Sequence, residues 1–441
     1  MTAPGAPTWL DRLAGGLLFA LPTVAYVAHH GLVWLVPLLG LYALWRSRPD
    51  GPHPLAVMKA AWPLLALLAL ALASALWSPD PGYTLSRALR LAVEMGFGLL
   101  LLSAAPRLPE ALRRRAVRLL AAGLAVGDVI LLANLGLDGA VLAPFKDAAF
   151  EAEFINRVSG GLALNAVLVV PLALLLVRLR HPAAGLGLVA LHGLTVVLFA
   201  NLSAKLAVLI AVTAALFGLF SGRLARWLLL VPVLIALFLP LALPVAVDQP
   251  PLCSAGWVKS SILHRLQVWN FTRARIDEAP LFGHGLEAAR LMPEGRGVVY
   301  FYTCQPDGSD VRTFGWAEAL PLHPHNGFLQ VWLEMGLAGA LLVSAGLIQA
   351  ARATWRTARR TMRRDGPRDG ARLARLQPLA LHLAVLGPAT SVGAISFGLW
   401  QGWWLAGLWL AATLAAAGAT LGPGEEVARR TRVVPGREPS P

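Results

Sequence analysis

Twelve runs of apolar residues, at roughly 13–29, 31–45, 60–77, 88–105, 116–136, 158–177, 184–201, 204–221, 224–247, 327–350, 379–398 and 402–421, dominate this chain. A helix rising about 1.5 Å per residue needs roughly 20 apolar residues to cross a hydrocarbon core about 30 Å thick. Lipid offers no hydrogen bonds to exposed backbone, so such runs must close their N–H and C=O groups internally as helices. The expected fold is therefore an all-α polytopic membrane protein with about 12 transmembrane helices. Composition agrees, at 57% hydrophobic and 14% charged with a mean hydropathy of +0.62, values that exclude an ordinary soluble domain. The first run follows Asp11 and Arg12, ends at His29-His30-Gly31 and carries no small-residue cleavage site, so it reads as a retained span that turns straight back.

Charge fixes the orientation. Placing the N-terminus in the cytoplasm puts about two thirds of the 38 Lys and Arg on that side, including nine arginines between Arg352 and Arg375. The net charge of +14 then reflects topology and needs no nucleic-acid partner. The run from Arg352 to Arg375 reads as a solvated loop that touches anionic membrane lipids. The chain divides into spans one to nine (1–247), a long external loop (248–326) expected to contain short helices, spans ten to twelve (327–421) and a Pro/Gly/charge-rich cytoplasmic tail (422–441) expected to be disordered. A shorter external segment at about 137–157 is acidic on balance.

Chemistry concentrates where the long loop re-enters the membrane. The segment His323-Pro324-His325-Asn326 is followed by nine mostly apolar residues and then Gly336-Leu337-Ala338-Gly339. Pro324 keeps His323 extended, and Asn326 is a good N-cap for a helix beginning at Gly327. An imidazole, His325, thus stands at a helix mouth whose free N–H groups and dipole favour its neutral, basic form and attract anions such as phosphate.

Upstream, the loop predicts an amphipathic helix from Ser260, with Ile262, Leu266, Trp269 and Ile276 forming an apolar stripe and Arg265 beside it. A glycine-bounded turn, Pro280-Leu281-Phe282-Gly283-His284-Gly285, precedes a short helix over Leu286–Leu291 that carries Arg290. If this loop folds back over the tenth span, Arg265 and Arg290 reach the site of His325. Guanidinium forks pair bidentately with a diphosphate and keep their charge. The alternative is that these arginines make surface pairs with Asp277, Glu278 and Glu287, and for Arg273, Arg275, Arg296 and Arg312 that is the preferred reading. Lys205, in the external turn Asn201-Leu202-Ser203-Ala204-Lys205, adds a cation at the same face. His323 either assists His325 or closes the turn. Cys253 and Cys304, the only cysteines, both lie in the loop, where an oxidising compartment would permit a disulfide.

Ionisable residues inside predicted spans are costly. Of these, Glu94 has an i, i+4 partner in Arg90. Asp128 and Glu334 are likewise expected to be functional or paired, and Glu334 lies too deep to be an obvious partner of His325. His192 and His382 are expected to bond to neighbouring helices.

The pattern resembles the O-antigen ligase superfamily of membrane glycosyltransferases, which also includes O-antigen polymerases and protein O-oligosaccharyltransferases. His325-Asn326, nine residues, Gly336 and Gly339 match the family's His-Asn/Ser/Gln, nine residues, Gly-x-x-Gly signature, and Arg265, Trp269, Pro280, Leu281, Gly283 and Gly285 match its Arg and Pro-Leu-x-Gly-x-Gly element. The resemblance implies an inner-membrane enzyme whose site faces the periplasm, so that the long loop is a periplasmic catalytic loop. It implies an inverting, metal-independent transfer that calls for no cofactor. The glycan donor would be linked to undecaprenyl pyrophosphate, and the acceptor would be a hydroxyl of lipid A-core. His325 would be the general base, with Arg265 and Arg290 holding the pyrophosphate and Lys205 a further pyrophosphate-binding candidate. The family's Ser-Arg-Gly at the end of a middle span is here Ser203-Ala204-Lys205, and lysine supplies charge without a fork. An O-antigen polymerase or a protein O-oligosaccharyltransferase would carry the same motifs. A lipid-phosphate transporter or flippase is a different class, expected to spread polar residues through mid-membrane, and few are found there.

Overall fold

In the computed structural model the described residues are 8–47, 59–143, 148–199, 201–242, 260–304, 310–364 and 371–422. Cys253 and the tail beyond Gly422 lie outside them, and with them the expected disulfide and the expected disorder. The helices run α1 (Trp9–Ala28), α2 (Leu32–Arg46), α3 (Trp62–Ala73), α4 (Pro81–Ala104), α5 (Glu110–Gly136), α6 (Ala148–Arg178), α7 (Pro182–Leu198), α8 (Leu202–Phe220), α9 (Gly222–Leu228), α10 (Val231–Ala242) and α11 (Ser260–Glu278). A hairpin of β1 (Val298–Cys304) and β2 (Asp310–Glu318) follows, then α12 (Gly327–Arg364), α13 (Ala371–Ile395) and α14 (Gly402–Ala419).

The fold is the helical membrane architecture that hydropathy predicts. Among the described residues nine helical segments are long and apolar enough to cross a bilayer, and Trp62–Leu76 and Pro182–Leu198 are apolar but shorter. One of the nine, Trp9–Arg46, is itself a hairpin. Tyr42 Oη donates to Asp11 Oδ1 at 2.7 Å and Arg46 Nε to the same oxygen at 3.2 Å, so the end of α2 returns to the start of α1. The antiparallel β1–β2 pair between α11 and α12 is an addition to the short helices expected there. The first strand is a continuous β-branched and aromatic run, VVYFYTC, and not a strict polar–apolar alternation, so periodicity alone does not mark it.

Helix α6 is the axis of the bundle. It touches α1, α5, α7, α8, α13 and α14, and Leu162, Leu164, Leu168, Leu172 and Leu175 are fully buried. A helix that is apolar all round belongs in an interior. The Arg352–Arg375 run differs from the loop expected of it. α12 continues to Arg364 and α13 starts at Ala371, because Ala and Arg carry high helix propensity and extend the ends of packed helices into water.

The buried ionisable groups pair across helices. Tyr26 Oη donates to Asp128 Oδ1 at 2.5 Å, and His192 Nδ1 lies 3.0 Å from the same oxygen, joining α1, α5 and α7. Arg90 Nε donates to Glu94 Oε1 at 2.8 Å, as the i, i+4 spacing predicts. His382 departs from expectation, since its Nδ1 bonds the Pro378 carbonyl of its own helix at 2.7 Å.

Candidate active site

Two glycine motifs interlock in the N-terminal part of α12. The helix breaks at Gly336, where φ is +60° and ψ −158°, and the break exposes backbone groups on both sides. The Pro280–Gly285 turn fills them. His284 N–H donates to Leu333 O and Gly285 N–H to Glu334 O, each at 2.9 Å, while Leu337 N–H donates to Pro280 O at 2.8 Å and Ala338 N–H to Leu281 O at 3.1 Å. Side chains have no room here. A Cβ on Gly283 would lie 2.4 Å from the Glu334 carbonyl carbon, and one on Gly336 would lie 2.4 Å from that of Leu281. The same break swings Met335 over the next turn, so that a Cβ on Gly339 would meet the Met335 Cβ at 2.2 Å. The spacing Gly-x-x-Gly is thus the sequence trace of a broken helix gripping a loop.

That grip brings α11 down on the mouth of α12. Val268, Ile276, Ala289, Met292, Leu320, Leu329 and Leu333 form one buried cluster beneath it. The buried residues of α11 are Leu263, Val268, Thr272 and Ile276; of the expected stripe Ile276 is buried, while Ile262, Leu266 and Trp269 are only partly so. Docking against α12, rather than the helix's own periodicity, selects the face. Trp269 Nε1 then donates to Pro324 O at 2.9 Å, which puts Arg265, one turn earlier on α11, beside His325. Arg273 and Arg275 pair with Asp277 and Glu278 on the helix surface, the role expected of them.

Asn326 caps α12 as expected, its Oδ1 accepting from Phe328 N–H at 3.0 Å and Leu329 N–H at 3.1 Å. His325 precedes it in the left-handed region, with φ +51°, a costly conformation for a residue with a Cβ and one that marks functional sites. Its Nδ1 lies 3.0 Å from Ser396 O. A carbonyl only accepts, so Nδ1 carries the ring proton and Nε2 presents a bare lone pair. Burial, opposed by the bond to Ser396, and then the charge of Arg265 hold the His325 pKa below the ordinary histidine value. Burial and the arginine thus favour the neutral imidazole.

His323 is 7% exposed. Its Nδ1 accepts the His325 backbone N–H at 3.0 Å, its Nε2 lies 3.0 Å from the Gln401 side-chain amide, and its ring packs edge-on to that of His325 with centroids 4.7 Å apart. Burial first, then His325 and Arg290, push its pKa down to about 3. With both nitrogens engaged, His323 closes the turn and shapes the backbone of His325.

The arginines differ from one another. Arg265 makes no hydrogen bond or ion pair among the described residues, and burial lowers its pKa. A half-buried guanidinium without a protein partner suits an anion. Arg290 ends a short 3-10 turn (Ala288–Arg290), shorter than the helix expected over Leu286–Leu291. Its Nε donates to Glu287 Oε2, so for this residue the surface-pair alternative holds in part, with the rest of the fork left over. Arg265 acts electrostatically on His325, and Arg290 on His323.

Lys205 shares this end of the bundle without touching His325. Asn201 caps α8, and Ser203 bonds the Ser396 hydroxyl, tying α8 to the carbonyl that orients His325. Lys205, two residues on, leaves the far side of α8 and makes no hydrogen bond or ion pair among the described residues. Ser396 and Gln401 escape a reading of the sequence, because one acts through its backbone and neither belongs to a motif.

Residues 152–344 match the model of the O-antigen ligase family, a span that holds Arg265, Arg290, His325 and both glycine motifs. Three relatives, each described as a "putative polysaccharide ligase", are similar at low identity. The protein from Rickettsia conorii is 26% identical over 151 residues, 34% of this chain and 30% of its own. That from Rickettsia prowazekii is 24% identical over 151 residues, 34% and 31% respectively, and that from Rickettsia bellii 28% over 148 residues, 33% and 29%. The chain thus spans less than a third of the length of these relatives in the matched region. These matches show the likeness to the O-antigen ligase family that the motifs carry, over the part of this multi-pass membrane protein that holds them.

Proposed function

We propose that this protein transfers a glycan from undecaprenyl pyrophosphate to a hydroxyl of lipid A-core at the periplasmic face of the inner membrane, through about twelve crossings. The observation that carries the reading is the bare Nε2 of His325, its tautomer set by Ser396 O, beside the unpaired, half-buried Arg265. The acceptor hydroxyl gives its proton to His325 Nε2 as its oxygen attacks the anomeric carbon from the face opposite the diphosphate. The glycosidic C–O bond forms, the C–O bond to phosphate breaks, and configuration inverts. Arg265 and the free part of the Arg290 fork take up the charge that develops on the leaving undecaprenyl pyrophosphate, so no metal ion is needed for that charge. Asn326 and His323 hold the base in place, and Lys205 contributes only long-range positive potential.

Replacing His325 with Ala in the native host tests this. The protein is expected to reach the membrane at normal level while the high-molecular-mass ladder is lost from lipopolysaccharide gels. An unchanged ladder refutes the role of His325 and the acceptor together, and a single-repeat band reassigns the reaction to polymerisation.

A further inference from the structure

The carboxylate of Glu334 is fully buried in α12, two turns below the cap, and nothing in the transfer chemistry uses it. Its surroundings are specific. Glu334 Oε2 accepts from the Glu287 backbone N–H at 2.8 Å and from Trp400 Nε1 at 2.7 Å, and Oε1 accepts from Gln330 Nε2 at 2.9 Å. Gln330 cannot turn its amide round, because its Oε1 already accepts from Leu399 N–H at 2.8 Å. Three N–H donors meet the two oxygens of this side chain and fix its position. An uncompensated buried carboxylate is expensive, so such an arrangement persists in a membrane only where something depends on it.

What depends on it is the segment that carries Arg290. Glu287 sits in the left-handed region at φ +59°, a conformation that turns its N–H down onto Glu334 while its side chain meets Arg290 Nε. Thr84 and Ser74 hold the neighbouring Leu286 backbone, at 3.1 and 3.0 Å, but neither reaches Glu287. The chain of contact runs from the rigid core through Glu334 to Glu287 and on to Arg290. We propose that Glu334 is a positioning residue for the diphosphate site, fixing the left-handed Glu287 and through it the Arg290 guanidinium. This rests on the diphosphate reading above. Other charged groups near this segment are Arg87, Arg90 and Glu94 on α4, which with Glu287 and Trp400 line one small cavity.

The test uses the purified full chain and inorganic pyrophosphate as the probe. Glu334→Gln turns an amide N–H against donors and should weaken pyrophosphate binding about tenfold, the loss expected of one charge-assisted hydrogen bond. Arg290→Ala should do the same. If Glu334 acts through Arg290, the double variant binds no more weakly than Arg290→Ala alone, whereas adding Glu334→Gln to Arg265→Ala multiplies the loss. A merely structural carboxylate would lower the melting temperature without this pattern. Should Glu334→Gln fail to fold, Trp400→Phe removes one donor from Oε2 and is expected to weaken binding two- to threefold, again only while Arg290 is present. Wild-type binding by Glu334→Gln, or independent losses with Arg290→Ala, overturns the positioning role alone. No pyrophosphate binding by the wild type, or none lost in Arg290→Ala, overturns the diphosphate reading itself and this inference with it.

Discussion

Substituting Gly336 by Ala puts the interlock of the two glycine motifs under direct strain. The conformation at φ +60° and ψ −158° belongs to a region open essentially to glycine, and a side chain there costs about 1–3 kcal/mol. The added methyl would lie 2.4 Å from the Leu281 carbonyl carbon and 2.5 Å from Phe282 N, both backbone atoms with no rotamer to change, for roughly another 1–3 kcal/mol of overpacking. Against this, the four hydrogen bonds between the turn and the broken helix are worth about 1 kcal/mol each. Strain of about 2–6 kcal/mol therefore matches or exceeds what the docking supplies. The cheapest relief is to release residues 280–290, not to unfold a helix held by lipid. Arg290 and Glu287 leave with the loop, and a displacement of about 1 Å in a positioning group costs on the order of a hundredfold in rate. Amide hydrogen exchange on 280–290 and 333–338, read beside a transfer assay on the same membranes, should show faster exchange and at least that loss of rate. Gly16→Ala, where an added Cβ meets nothing within 4 Å, is the matched control. Normal exchange and normal transfer in Gly336→Ala would refute the account of why these glycines occur together.

The remaining predictions concern protons and buried polar groups. Because burial and Arg265 depress the His325 pKa, transfer should rise with pH through a midpoint below the ordinary histidine value and be level by pH 7, and a midpoint above about 6.5 would contradict the assigned environment. His323, held neutral down to about pH 3, takes its proton first in the unfolded chain. Acid should therefore lower stability as pH falls below about 6.5, by up to about 1.4 kcal/mol per pH unit for this group, and thermal melts of His323→Gln should show a shallower slope between pH 6.5 and 4. Tyr26→Phe deprives the buried Asp128 of its 2.5 Å donor and should cost about 1–3 kcal/mol, seen as a lower melting temperature with the transfer rate unchanged.

Much of this molecule was legible in its residues. Spans are set by local composition, since a stretch like Val158–Arg178 has no alternative in lipid to a closed helix, and the cap at Asn326 follows from a side chain and the N–H groups two and three residues along. Proximity and partner choice are not local. Nothing in the spacing of Pro280–Gly285 and Gly336–Gly339 says that one backbone fills the gap in the other, that Ser396 lends a carbonyl to His325, or that Glu334 reaches Glu287 rather than the base. Nor does periodicity choose the buried face of α11 or predict the short hairpin after it. Each of these depends on hydrogen bonds and contacts between segments tens to hundreds of residues apart, which form only once the bundle has packed.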